Sequence, residues 1–306
     1  MNTILVTGAG GFLGRSVARH FAGASRVVGV DVVPEENAQL SALAAYHRVQ
    51  LPDSRLGEIL REHQPSLVIH CAGRASVPMS VNDPASDFHD GVALTFDLLN
   101  ALREHAPQSR FLLFSSAAVY GQPQSLPVSE EHAPAPLSPY GFHKWQCEIL
   151  CAEFAKVYGL RTASLRIFSA YGPGLRRQVM WDICQKALVK KSLKLQGTGA
   201  ESRDFIHATD IARAAEIVAN HAPMNGEVFN VSTGREVTIR DLSAMLLRAL
   251  GVGIEPEFDG VVPAGVPHNW RADVSRLNAL GFHPGVPLEQ GAQKFAAWCR
   301  AELAVT

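Results

Sequence analysis

Tyr140 and Lys144 stand four residues apart in the stretch Tyr140-Gly141-Phe142-His143-Lys144. On a helix that spacing puts a phenol and an ammonium on one face, about 6 Å apart along the axis. A neighbouring cation favours the phenolate, bringing a group with an ordinary pKa of about 10 toward one that exchanges protons with an alcohol near neutrality. Ser115 and Ser116 follow the apolar run Arg110–Phe114, and a hydroxyl there can hydrogen-bond the same substrate oxygen. Near the amino terminus, Thr7-Gly8-Ala9-Gly10-Gly11-Phe12-Leu13-Gly14 places glycines at 8, 11 and 14 between an apolar run and an amphipathic stretch. Such a turn lets backbone amides and the positive end of a helix meet a pyrophosphate. Asp31 comes 17 residues after Gly14. A carboxylate there accepts hydrogen bonds from an adenosine ribose and repels an added phosphate, which favours NAD over NADP.

These groups need elements to hold them, and the chain supplies a regular alternation. Thr3–Val6, Arg26–Val30, Ser66–His70, Arg110–Phe114 and Arg161–Ile167 are short and strand-like, each separated by a helix-length segment. Helices are expected at Leu13–Ala22, Leu56–Glu62, Ala85–Glu104 and Tyr140–Tyr158. Alternation of this kind predicts an α/β fold with a doubly wound parallel sheet. After about Ala170 the rhythm loosens, with helices expected at Gln178–Val189, Thr209–Asn220, Ile239–Leu250 and Leu288–Arg300 and a loop at Phe258–Pro267. Residues 1–169 are read as a nucleotide-binding domain and 170–306 as a smaller lobe, with some chain crossing back.

Composition narrows the partners. The chain has 306 residues with 28 basic and 29 acidic ones, a net charge of −1, so it has no field for holding nucleic acid or an anionic membrane. No apolar run approaches the roughly 20 residues of a membrane span, and no signal peptide is visible, so a cytoplasmic location is expected. The five cysteines at 71, 147, 151, 184 and 299 form no zinc-type pattern. Cys147 and Cys151, one helical turn apart, are read as buried structural thiols, and no metal is assigned.

Several further blocks fall in order: His70-Cys71-Ala72-Gly73, Phe114-Ser115-Ser116-Ala117-Ala118-Val119-Tyr120-Gly121, Arg166-Ile167-Phe168-Ser169-Ala170-Tyr171-Gly172-Pro173-Gly174, Arg203-Asp204-Phe205-Ile206-His207-Ala208-Thr209-Asp210 and Phe229-Asn230-Val231-Ser232-Thr233-Gly234. With the glycine loop and the tyrosine–lysine pair, these make the chain resemble, end to end, the NAD-dependent nucleotide-sugar epimerase/dehydratase group of the extended short-chain dehydrogenase/reductases. The resemblance implies a Rossmann domain binding NAD and a smaller carboxy-terminal α/β lobe holding a nucleotide-sugar. It implies that Tyr140 is the acid/base, that Lys144 binds the nicotinamide ribose and tunes it, and that Ser116 steers the sugar hydroxyl. Gly8, Gly11, Phe12, Leu13, Gly14, Asp31, Leu51, Ala72 and Gly73 would line the cofactor. Ser80, Ser169, Arg203 and Arg271 would face the substrate, with Arg203 clamping its diphosphate. The alternative for Arg203 is an ion pair with Asp204 or Asp210.

Departures from the group's pattern sharpen the expectation. Ala117-Ala118 stands where 4,6-dehydratases carry an Asp-Glu pair, so the acid and base for eliminating water are missing. Ser169 replaces a common asparagine, Gln50 an aspartate that meets adenine, and Gly91 an asparagine. An arginine usual before the last block is missing from Phe258–Pro267, with Arg271 close by. The resemblance therefore implies 4-epimerisation of an activated hexose through a 4-keto sugar, in carbohydrate biosynthesis. The alternative is an NAD(P)H-dependent 4-ketoreductase of a keto-deoxysugar nucleotide. A non-catalytic NAD sensor is a third reading, which the retained Ser116, Tyr140 and Lys144 disfavour. His70, His143 and His207 stay outside the catalytic set, His143 being read as a surface residue turned away from Tyr140 and His207 as packing or bonding locally. A homodimer through Ala85–Glu104 and Tyr140–Tyr158 is expected.

Overall fold

The computed structural model describes residues 2–35, 40–261 and 267–304. The amino-terminal half runs β1 (Thr3–Thr7), α1 (Phe12–Phe21), β2 (Arg26–Asp31), β3 (Ala45–Arg48), α2 (Arg55–His63), β4 (Leu67–His70), α3 (Val77–Asn82), α4 (Pro84–Phe88), α5 (Leu94–His105), β5 (Arg110–Ser116), α6 (Pro139–Tyr158) and β6 (Arg161–Ile167). The remainder runs β7 (Ser169–Tyr171), α7 (Gln178–Gln185), β8 (Leu193–Leu195), β9 (Ser202–His207), α8 (Ala208–His221), β10 (Asn225–Val231), β11 (Glu236–Thr238), α9 (Ile239–Leu250), β12 (Pro256–Phe258), α10 (Ser275–Asn278) and α11 (Leu288–Ala304).

The main sheet is parallel, in the order β10-β6-β5-β4-β1-β2-β3. Its central strands are apolar on both sides because helices cover both faces. One face packs α1 and α8 through Val17, Phe21, Ile211 and Val218. The other packs α2, α5 and α6 through Leu60, Leu98, Cys151 and Phe154. Strand order reverses on either side of β1, which opens a crevice at the carboxyl ends of β1 and β4, the place where such sheets bind ligands. A second, smaller layer is built on β11-β9-β7 and the β12–β8 pair, with α7, α9 and α11 closing its own core around Phe205, Leu246 and Phe295. Within residues 170–306, α8 and β10 return to the main sheet.

Two expected helices are interrupted. The segment Ala85–Glu104 is α4, a wide π-type turn at His89–Ala93 and then α5. Asp83 caps α4 by accepting from Ser86 N, and Pro84 starts it. Gly91 lies inside the wide turn, which swings Asp90 toward the loop after β4, where it takes Arg74 Nε at 2.8 Å. Gln178–Val189 likewise ends as a helix at Gln185 and continues as a π-type turn, Lys186–Lys190. Strands β3, β7, β8, β11 and β12 went unread because they have only three or four residues, and β3 is an edge strand with no fully buried residue; the longer β9 and β10 were not read as strands either. Of the loop expected at Phe258–Pro267, Phe258 ends β12, and 262–266 lie outside the described residues.

Candidate active site

The glycine loop joins β1 to α1 in a form that tolerates no side chain at two points. Gly8 has φ +69°, and a Cβ there would come within 2.7 Å of Ala72 N on the neighbouring strand end. A Cβ on Gly14 would land on the Gly8 carbonyl, so α1 can lie this close to the loop only with glycine at that position. Helix α1 starts after Gly11 without a side-chain cap, leaving the amides of its first turn, where Phe12 and Leu13 sit, turned toward an anion. Leu13 also packs on the core, and Phe12 is half-buried.

Beside this turn is a cleft of about 370 Å³ that brings together Gly8, Gly11, Asp31, Leu51, Ala72 and Gly73. Gln50 lines it too. Asp31 is the last residue of β2, not a residue beyond it. Its Oδ2 accepts from Gly10 N at 2.8 Å and its Oδ1 from Val32 N and Val33 N at 2.7 and 3.1 Å. A carboxylate has about four acceptor positions, so one is left for a ribose hydroxyl, and its direction is fixed. Glycines that a Cβ would displace, an uncapped helix start and an oriented carboxylate suit a dinucleotide with an unphosphorylated ribose.

The chemistry-bearing side chains stand next to this cleft. Ser138 caps α6, accepting from Gly141 N at 3.3 Å, and Pro139 sets its first turn. Lys144 Nζ lies 6.0 Å from the centre of the Tyr140 ring and donates to Phe114 O at 2.9 Å, which ties it to the end of β5. Strand alternation sends Ser115 and Ser116 to opposite sides. Ser115 is buried and gives its hydroxyl to Glu148 Oε1 at 2.5 Å, while Ser116 stays half-buried and accepts from Ala118 N at 3.1 Å. Of the two serines, Ser116, the one expected to steer the sugar hydroxyl, is the one left to face a substrate. Lys144 also acts on the cleft wall: burial, with its charge adding, holds the wholly buried His70 down to about 3. Burial pushes the Cys71 thiol up.

On the opposite side, Ser169 opens β7 in a half-buried position. Arg203 pairs with neither Asp204 nor Asp210. Asp204 is taken by Thr233 and by Ala272 N, and Asp210 by Arg213, Gly285 N and Val286 N. The Arg203 guanidinium lies 5.7 Å from the Trp270 ring centre and donates to the carbonyls of Ser202 and His268 at 2.6 and 3.1 Å. Burial lowers its pKa. Close to it in space, the Trp270 Nε1 and the Nε of the following residue, Arg271, are buried without a partner among the described residues, an arrangement that an anion would satisfy.

Two expectations change, and one residue is added. Ser80, expected at the substrate, is fully buried. It donates to Val77 O at 2.8 Å and accepts from Tyr140 N at 3.1 Å, so its hydroxyl is spent on holding the start of α6. His143 is not a surface residue. Three residues along a helix is only about 60° from Tyr140, and its Nδ1 meets the buried Asp87 Oδ2 at 2.6 Å, pinning α4 to α6. Glu148, unremarked in the sequence, is the buried centre of the site's support, two turns past Tyr140 on α6, where a repeat of the four-residue spacing was the available signal. His207 bonds locally, to Thr209, and caps α8. The described residues also gather His47, Glu62 and His63, with the two ring Nε2 atoms 2.7 Å apart. Arg26 Nη1, which can only donate, lies 3.1 Å from His63 Nδ1 and so fixes the ring proton on Nε2, the atom a metal would need.

A parallel sheet reversing at β1, a side-chain-free pyrophosphate turn and a tyrosine–lysine–serine group beside the crevice define a dinucleotide-dependent enzyme of sugar or alcohol chemistry. Residues 4–232 match the sequence profile of the NAD dependent epimerase/dehydratase family, and the chain belongs to that family. It is 28% identical to a putative UDP-glucose 4-epimerase of Methanocaldococcus jannaschii, covering 97% of this chain and 98% of that one. It is 32% identical to a GDP-6-deoxy-D-mannose reductase of Pseudomonas aeruginosa, covering 94% and 93%. The UDP-glucuronic acid 4-epimerase of Bacillus cereus, solved in complex with UDP-glucuronic acid and NAD, superposes with a TM-score of 0.90 at 28% identity, covering 98% and 99%. Among the described residues no helix is long and apolar enough to cross a membrane.

Proposed function

We propose that the protein interconverts the C4 epimers of a nucleoside-diphosphate hexose, with NAD as its resident cofactor. The observation that carries this reading is that Tyr140 and Lys144 on α6 and Ser116 at the end of β5 come together, with Lys144 tied to Phe114 O, beside the glycine-walled cleft. Family membership and the relatives named for 4-epimerisation support it. When bound, NAD supplies reversible two-electron oxidation at the sugar carbon. Tyr140 takes the proton of the C4 hydroxyl and returns it after the 4-keto sugar has turned over. Lys144 sets its ammonium beside the Tyr140 ring, and Ser116 fixes the sugar oxygen in line with the Tyr140 hydroxyl. Arg203 and Arg271 hold the diphosphate, the first preset by its stacking on Trp270 and the second by an Nε with no partner among the described residues. Ala117 and Ala118 offer no carboxyl group, so water is not eliminated.

Residues 1–169 supply the cofactor half and most of 170–306 the substrate half, with α8 and β10 lent back to the main sheet. The partner is a second copy of the chain. Phe96 at 44% exposure, Ile149 at 50% and Val157 at 64% leave the outer faces of α5 and α6 apolar and uncovered, as a four-helix interface needs. Five free thiols fit a reducing cytoplasm.

Purified protein incubated without added cofactor with UDP-glucose, UDP-galactose and their N-acetyl forms should interconvert one pair. Stoichiometric consumption of NADH or NADPH with a 4-keto sugar nucleotide, and no interconversion, would instead support the ketoreductase reading favoured by the similarity to the Pseudomonas reductase. Tyr140→Phe should lower turnover at least about a hundredfold and leave NAD binding intact by calorimetry. Activity surviving that change would remove Tyr140 as the base.

A further inference from the structure

Helix α6 grips the end of β5 twice. Lys144 donates to the carbonyl of Phe114, and one turn later Glu148 accepts from the hydroxyl of Ser115 at 2.5 Å. Ser116, the next residue, is the one left facing the substrate side. Ser115 is paired in register with Arg166 on β6, and Glu148 bridges both: Arg166 Nε and Nη2 reach its two oxygens at 3.0 and 2.7 Å. All three are buried, Ser115 and Arg166 at 4% exposure and Glu148 at 5%. One carboxylate therefore fastens two neighbouring strand ends to the helix that carries Tyr140 and Lys144. The far side of Arg166 stacks on the Tyr120 ring at 4.7 Å, and the Tyr120 hydroxyl donates to Asn230 Oδ1 on β10 at 2.7 Å. Arg166 thus has a fixed seat, and Glu148 cannot turn away from Ser115 without leaving a buried guanidinium unpaired.

We infer that Ser115, acting through Glu148, is a positioning residue for Ser116. Its hydroxyl sets the rotation of the last turn of β5 about the strand axis, and so the direction in which Ser116 Oγ meets the sugar oxygen. The inference rests on the function proposed above. Its test changes Ser115 and not Glu148 or Arg166, because Ser115→Ala keeps the buried ion pair and therefore the fold.

The experiment is a double-mutant cycle on the epimerase reaction with Ser115→Ala, Ser116→Ala and the double variant, reading kcat, KM and the pH dependence of kcat. Ser115→Ala is expected to lower kcat about 10-fold, change KM less than about 2-fold and move the acidic limb of the pH profile. Ser115→Thr should restore most of the rate. In the Ser116→Ala background, Ser115→Ala should cost little more, since the group it positions is gone. Wild-type kcat and pH profile in Ser115→Ala would overturn the inference, as would a full independent loss in the double variant. Calorimetric NAD binding by Ser115→Ala with wild-type affinity confirms that the fold is kept. If that affinity is lost, a Ser115→Cys variant, which keeps a weak donor and the volume, takes its place and must show the same partial loss in kcat. A wild-type protein that interconverts no sugar nucleotide would defeat the proposed function itself, an outcome separate from either result on Ser115.

Discussion

His70 lies wholly buried between Thr7 and Thr95, with Nδ1 2.7 Å from Thr7 Oγ1. Burial, with Lys144 nearby, lowers its pKa from an ordinary 6.5 to about 3. Between those values the unfolded chain binds a proton that the folded one refuses. The stability tied to His70 is therefore complete above pH 6.5 and is lost as pH falls toward 3. The slope is at most about 1.4 kcal/mol per pH unit. Melting curves from neutral pH down to about pH 5 should show a falling Tm, and His70→Asn should flatten that fall. An unchanged slope in the variant would assign acid sensitivity to other groups. A neutral ring here also spares Lys144 a second cation at close range. At this scale the sequence displays chemistry through spacing, as Tyr140 and Lys144 do, but not the use to which a hydroxyl is put. Ser80, Ser115 and Ser116 look alike in one dimension, and only the third dimension shows two of them spent on Tyr140 N and Glu148.

Among elements, the join of β1 and α1 carries the strictest demand, and it follows from where Gly14 places the helix over the Gly8 carbonyl. Gly14→Ala should push α1 off the loop, costing about 2 kcal/mol or more in urea unfolding and weakening NAD binding at least tenfold by calorimetry. Binding at wild-type affinity would mean that the loop yields. The five apolar strands and most helices were legible because a parallel sheet buried on both faces writes itself as unbroken apolar runs. Helix α9 matches its expected span, Ile239–Leu250, because a strong apolar stripe and a Thr238 cap mark it. The break between α4 and α5 was not legible. Apolar periodicity continues across a π-type turn, and Gly91 alone does not distinguish a widened turn from a tolerated glycine. The second lobe was read least well, since its strands are three to six residues long and pair across distant segments.

For the whole molecule, the uncovered apolar faces of α5 and α6 make association a matter of surface chemistry. Ile149→Glu, at a half-exposed position on α6, should turn a dimer into a monomer in sedimentation equilibrium while the far-ultraviolet spectrum stays unchanged. A wild-type protein that already sediments as a monomer would refute the interface. Strand β10 has another consequence. It covers the β6 edge of the main sheet from residues 225–231, after the first part of the second lobe. During synthesis on the ribosome, the nucleotide-binding half therefore emerges with a bare strand edge for the time it takes to translate some sixty more residues, about 3 to 12 s at ordinary rates. In that interval it is the part of the nascent chain most in need of a chaperone.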